Sequence, residues 1–169
     1  MLAWLCNVVY PLPTTMSTKS LHIQQPSVSV MYYSPTRLIP EIFEIIDNAA
    51  SKEEQLQIVK AYSIAPNFLV ICDVWLNKEF DDYSNVLYPT HKSPIGLAPQ
   101  SISNNMKRIV QLTRDSKLSK EVKDKYVANI FHSINQNEIE FLTNLFADTL
   151  EQLYPNVTKE LIKEAISKL

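Results

Sequence analysis

Glycine is almost absent: Gly96 is the only one in 169 residues. Glycine-rich loops cradle phosphates because a residue without a Cβ lets successive amides approach an anion, so neither GxGxxG nor a Walker A sequence can be written on this chain. The usual nucleotide-dependent chemistries are thereby excluded. Cysteine is nearly as scarce. Cys6 and Cys72 stand far apart in unlike surroundings, with no CxxC and no Cys/His spacing able to close around a metal, and this usage suits a reducing compartment. His22, His91 and His132 share no ligand spacing and read as ordinary surface or half-buried histidines. A long apolar run is missing too. The opening MLAWLCNVVYPLP is apolar for only about ten residues before Pro11 and no basic residue precedes it, whereas a membrane span needs roughly 18 to 20. Neither a transmembrane helix nor a secretory signal is expected.

What is present is ordinary globular material. A hydrophobic share of 46% with 20% charged residues in 19.4 kDa supplies one domain with a sizeable core and excludes wholesale disorder. The first third of the chain is divided. Residues 13–30 are rich in Ser, Thr and Gln, carry Pro13 and Pro26 and show no helical period, which is the composition of a disordered arm. Met16 and Met31 are alternative starts, so residues 1–33 read either as a flexible arm or as a mis-called translation start.

From Pro40 onward the period is helical. Ile42, Phe43, Ile45, Ile46, Ala49 and Ala50 build one apolar face. Ser51 to Glu54 form a capping box ahead of Leu56, Ile58, Val59 and Tyr62. A third helix from about Pro66 to Leu76 turns Phe68, Leu69, Ile71, Cys72, Trp75 and Leu76 inward, making Cys72 a small core residue and not a nucleophile. Between residues 77 and 100 the period disappears, because Pro89, Pro94, Gly96 and Pro99 forbid a continuous helix, and a loop this long inside a compact domain is often functional. Helical signal resumes near Ser103 with Met106, Ile109, Val110 and Leu112 inward. After a break at residues 115–118, Ser119 caps a helix carrying Val127, Ile130 and Phe131. Asn135 and Glu138 open another with Ile139, Leu142, Leu145, Phe146 and Leu150 inward, ended by Pro155, and Thr158 caps a last one bearing Leu161, Ile162 and Ala165. The expectation is an all-α domain over residues 38–169, a compact bundle of about seven short helices with a long loop at 77–100. Phe43, Ile46, Leu69, Trp75, Ile130, Phe131, Leu142 and Phe146 are expected to be buried together.

The net charge of −2 argues against a nucleic-acid protein by the crudest test, but the charge is unevenly spread. Residues 41–82 carry nine acids against three lysines, whereas residues 83–137 carry eight basic side chains against three acids. Attraction to polyanions should concentrate in that second stretch, at Lys107, Arg108, Arg114, Lys117, Lys120, Lys123 and Lys125. The plainer alternative is a solvated linker with its flanking helix faces.

The run EIFEIIDNAASKEEQLQIVKAYSIAPNFLVICDVWLNKEF resembles the start of the N-terminal all-helical DNA-binding domain of phage-type ATP-dependent DNA ligases: a short helix, a Ser-led helix, a third helix, then an aromatic and proline-rich loop, here Tyr88, Pro89, Pro94, Ile95 and Gly96. VKDKYVANIFHSINQNEIEFLTNLFADTLEQLYPNVTKELIKEAISKL is similar to the paired helices and terminal helix that close that domain. Small proteins of T-even-type phages share the layout and are closer in length. The resemblance spans residues 38–169 and rests on helix order, apolar spacing and caps. It implies duplex DNA binding in the cytoplasm of an infected host cell. It does not carry over catalysis, because no K-x-D-G motif supplies an adenylated lysine and no room is left for a nucleotidyltransferase domain. The glycine-containing turn that ligases place before the last helix is here Tyr154, Pro155, Asn156 and Val157.

Helix starts offer a physical route to phosphate without the family. Their amides are unpaired and partly positive, and Ser51 with Lys52, Ser119 with Lys120, and Thr158 with Lys159 each set a cap hydroxyl beside a cation; a plain solvated helix start looks the same. The candidate DNA-binding residues are Lys107, Arg108, Arg114, Lys117, Lys120, Thr158 and Lys159. Three classes of function remain open: sequence-independent duplex binding, a protein-interaction module acting on a host or phage component, and catalysis. The last would need Asp73, Glu79, Asp81 and Asp82 to form a metal-carboxylate site. A solvated helix end explains those four better, so no catalytic residue, metal or cofactor is assigned.

Overall fold

The computed structural model describes residues 33–86 and 98–169. The expected arm at residues 1–32 and most of the proline-rich loop, with Tyr88, Pro89, His91 and Gly96, lie outside the described residues. Within them the chain is all-helical: α1 Ile39–Asp47, α2 Lys52–Tyr62, α3 Pro66–Asn77, α4 Ile102–Gln111, α5 Lys120–Ser133, α6 Gln136–Phe146, α7 Leu150–Leu153 and α8 Lys159–Ser167. Among the described residues there is no strand, only an antiparallel bridge between Phe80 and Thr113. No single helix there is long and apolar enough to cross a membrane.

Local chemistry sets the helix ends. At α1 the Glu41 carboxylate takes the Leu38 amide at 2.8 Å. Ser51 caps α2 by accepting the Glu54 amide at 3.2 Å, but Glu54 reaches back one residue further than a capping box requires, to the Ala50 amide at 2.8 Å. The α4 cap is Ser101, two residues earlier than the apolar period suggested, with the Asn104 side chain accepting its amide and hydroxyl. The helix expected to run from Asn135 to Pro155 is broken in two. Phe146 ends α6, and Asp148 adopts the left-handed conformation (φ 55°) before α7 begins. Such a position just past a helix normally takes glycine, and Asp is one of the few residues that substitute for it in a chain this poor in glycine.

The core runs through every helix from Ile39 to Ala165. Its centre is Phe43, wholly buried, whose ring meets Phe68, Trp75, Phe141 and Tyr154 at centroid distances of 6.1, 5.8, 4.9 and 5.6 Å. Removing a ring so placed costs about 3–5 kcal/mol, because the cavity cannot collapse. Seven of the eight residues expected in the core pack there, Phe146 only partly buried; Leu69 is the exception, half-buried at the surface edge of α3 while Val70 and Val74 turn inward. Val110, expected inward, is exposed. A 120° bend joins α2 to α3, and the turn before α8 is tied to the end of α1. The Asn156 amide donates to the Asp47 carboxylate at 2.7 Å, and the Gln55 side chain donates to the carbonyls of Ile46 and Asn156 at 3.1 and 3.0 Å.

Past α3, residues 79–83 form a strap across the α4–α5 connection. The Arg114 amide donates to the Glu79 carbonyl at 2.8 Å, and the Tyr83 hydroxyl donates to the Leu112 carbonyl at 2.5 Å. The Phe80 and Tyr83 rings pack tilted and edge-on against Phe146, with centroids 4.7 and 5.2 Å away.

Candidate nucleic-acid interface

Side by side on the solvent face of α4 stand Lys107 and Arg108, both exposed. They line a groove of about 490 Å³ together with Asn67, Gln100, Ser103 and Asn104. Among the described residues no carboxylate lines this groove. Arg108 donates to Asn105 Oδ1 at 3.4 Å and its guanidinium lies 6.0 Å from the Tyr126 ring centre; among the described residues no carboxylate pairs with Lys107, Arg108 or Lys117. The face is therefore cationic and rich in amides, the chemistry that meets phosphate and sugar oxygens.

α4 owes its position to a buried acid. Glu138 at the first turn of α6 is fully buried and accepts the Ile102 amide at 2.8 Å and the Asn135 side-chain amide at 2.9 Å. One carboxylate thus caps α4 while its own helix is capped by Asn135, which accepts the Glu138 amide at 3.0 Å. Burial raises the Glu138 pKa above the ordinary carboxylate value, partly opposed by those hydrogen bonds. The Asn135–Glu138 cap was legible from spacing; its reach across 36 residues to α4 was not.

The other nominated residues are already engaged. Arg114 pairs with Glu79 at 2.7 Å and lies 4.0 Å from Asp81. Lys120 pairs with Asp124 at 2.8 Å, donates to the Asp82 carbonyl and sits 4.7 Å from the Tyr83 ring centre. Lys123, counted in the basic stretch, is buried between the Asp81 carboxylate and the Thr113 carbonyl, both at 2.8 Å, and Lys125 pairs with Glu121. At α8 the Thr158 hydroxyl accepts the Leu161 amide at 3.1 Å, the Glu151 carboxylate accepts the Lys159 amide at 2.9 Å, and the Lys159 ammonium pairs with Asp148 at 2.6 Å. A carboxylate therefore occupies the place a phosphate would take at that helix start. Ser51 is likewise used by its own helix and Lys52 pairs with Glu164. Ser119 is the α5 cap by position, with no side-chain hydrogen bond to the helix.

The four carboxylates weighed for metal binding are each engaged by the protein: Asp73 with Asn77, Glu79 with Arg114, Asp81 with Lys123 and more distantly Arg114, and Asp82 with the Ser84 amide. Among the described residues no group of three His, Cys, Asp or Glu side chains is arranged to hold a metal ion. Cys72 is fully buried, and desolvation with the neighbouring Asp73 charge pushes its thiol above the usual range, away from the reactive thiolate.

Compared with protein-family models, curated proteins and solved structures, the chain has no match.

Proposed function

We propose that this chain is a non-catalytic phage accessory protein that binds duplex DNA without sequence preference, through backbone contacts made by the α4 groove. The carrying observation is that, among the described residues, Lys107 and Arg108 stand unpaired by any carboxylate in a groove that no acid lines. The resemblance to the ligase DNA-binding domain points the same way. Lys107 and Arg108 in the groove, with the exposed Lys117 of the α4–α5 connection, carry the contact; Arg114, Lys120, Thr158 and Lys159, engaged within the protein, contribute little. With about three phosphates neutralised, the log-log slope of affinity against salt is about −3. The test is retention on immobilised duplex DNA across a salt series. No salt-sensitive retention at about 50 mM salt overturns the reading.

A second reading, a protein-interaction module, is favoured by an acidic patch around Tyr154. Glu44, Asp47 and Glu140 crowd Tyr154 closely enough that, after burial, their charges help push its phenol upward. Glu44 and Glu140 are exposed and have no cation partner among the described residues. A basic protein surface would complement this face, and failure of duplex retention makes it the leading interpretation.

A further inference from the structure

Arg114 and Lys159, which contribute little to the duplex reading, flank a different feature. A cleft of about 320 Å³ lies between the end of α3, the strap, the α4–α5 connection and the end of α6. Its apolar lining is Trp75, Phe80, Leu145 and Phe146; its charged lining is Lys78, Glu79, Arg114 and Asp148. Around it cations are paired with carboxylates: Lys78 with Asp115, Arg114 with Glu79 and more distantly with Asp81, and Lys159 with Asp148. The three carboxylate side chains are 60%, 77% and 65% exposed, so each pair is a surface ion pair that a ligand matching both freed charges can displace at small cost, as a bare phosphate cannot.

Trp75 supplies an independent observation. The residue is 2% exposed, and its indole nitrogen is the one buried side-chain polar atom without a hydrogen-bond partner among the described residues. A buried donor left unpaired is costly and rare, and one belonging to a residue that lines a cleft marks where an outside acceptor can be satisfied. The Lys159 ammonium lies 6.0 Å from the same ring.

We propose that this cleft binds a small zwitterion of the α-amino-acid class with an apolar side chain. Its carboxylate takes the Arg114 guanidinium and the Trp75 N–H, its ammonium takes the Glu79 carboxylate so released, and its side chain lies against Phe80, Leu145 and Phe146. Charge balance selects this class. A bare anion would free a carboxylate and leave it unmatched, and a bare cation would do the converse, whereas a zwitterion closes both ends. A cleft of this volume is at the small end of ligand sites. The inference is independent of duplex binding.

The chain has two tryptophans, Trp4 and Trp75, so Trp4→Phe in the full chain leaves Trp75 as the sole indole reporter. Emission and titration calorimetry are followed in parallel with L-leucine, acetate, inorganic phosphate and methylammonium. Leucine is expected to bind saturably, with each single-charge probe weaker by about tenfold or more, since each lacks one charge-assisted contact. Arg114→Gln and Glu79→Gln, both at exposed positions, should each weaken leucine by about tenfold, with unchanged circular dichroism. Three results overturn the proposal: no saturable leucine signal by either method, acetate or phosphate equal to leucine, or leucine binding indifferent to both substitutions.

Discussion

Lys107 and Arg108 on α4, and Arg114, Lys120 and Lys123 shortly after it, belong to one basic stretch, yet the fold gives them opposite fates. The first two face solvent with no carboxylate partner, while the other three are held by the strap and its neighbours. Glu79, Asp82 and Asp81 reach them across 35, 38 and 42 residues of chain. A cation already paired has little to gain from a phosphate, because it must lose one anion to meet another. Charge density along a chain is therefore not charge available at a surface, and the difference between α4 and the connection that follows it can be tested from both sides.

The largest effect should come from the most deeply committed cation. Lys123→Met keeps the aliphatic stem but leaves the Asp81 carboxylate and the Thr113 carbonyl without their donor, and should cost about 2 kcal/mol in urea unfolding. A loss below about 0.5 kcal/mol, the range of an ordinary surface change, would show that the strap is not anchored there. On the uncommitted side, replacing Lys107 and Arg108 together by alanine should weaken duplex retention about tenfold at low salt and reduce the magnitude of the salt slope by about 2. Retention equal to wild type would place the contact elsewhere.

The third effect concerns the capping of α4. Because the folded-state pKa of Glu138 is raised above 4.5, the folded protein holds this proton in a window where the unfolded chain has lost it. Stability should fall as pH rises from the ordinary carboxylate value through the folded pKa, by at most about 1.4 kcal/mol per pH unit. In Glu138→Gln that decline should vanish; if the two profiles coincide, the buried acid is not the titrating group. The smallest effect belongs to Arg114→Ala with Lys120→Ala, which should change duplex affinity by less than about threefold, because both side chains are engaged within the protein. A loss as large as that of the α4 pair would erase the contrast between the two regions.

Much of the architecture was readable because it depends on residues three or four apart. The stripe Ile42, Phe43 and Ile46 and the caps at Ser51, Asn135 and Thr158 are local patterns, and each is a helix face or helix start in the fold, although Ala49 and Ala50, read as part of that stripe, lie past the end of α1. Misreadings arose where one local pattern admits two outcomes. The apolar period runs on from Phe146 toward Leu150, and only the left-handed turn at Asp148 separates the two helices. The Ser101–Asn104 pair was a visible cap signal that the later apolar period obscured.

The candidate surface was less legible. Lys107 and Arg108 could be nominated from composition, but Asn67 joins them only because α3 packs against α4, and nothing in the spacing of Trp75 and Asp148 foretells one cleft. Sequence alone determined an all-helical chain with a buried Cys72, since propensity, capping and period act within a few residues of their cause. Which charges are spent and which remain free was decided by tertiary structure. An ion pair between residues 79 and 114 requires that the fold first bring them within a few ångströms, and at that range it is distance in space, not along the chain, that fixes the energy.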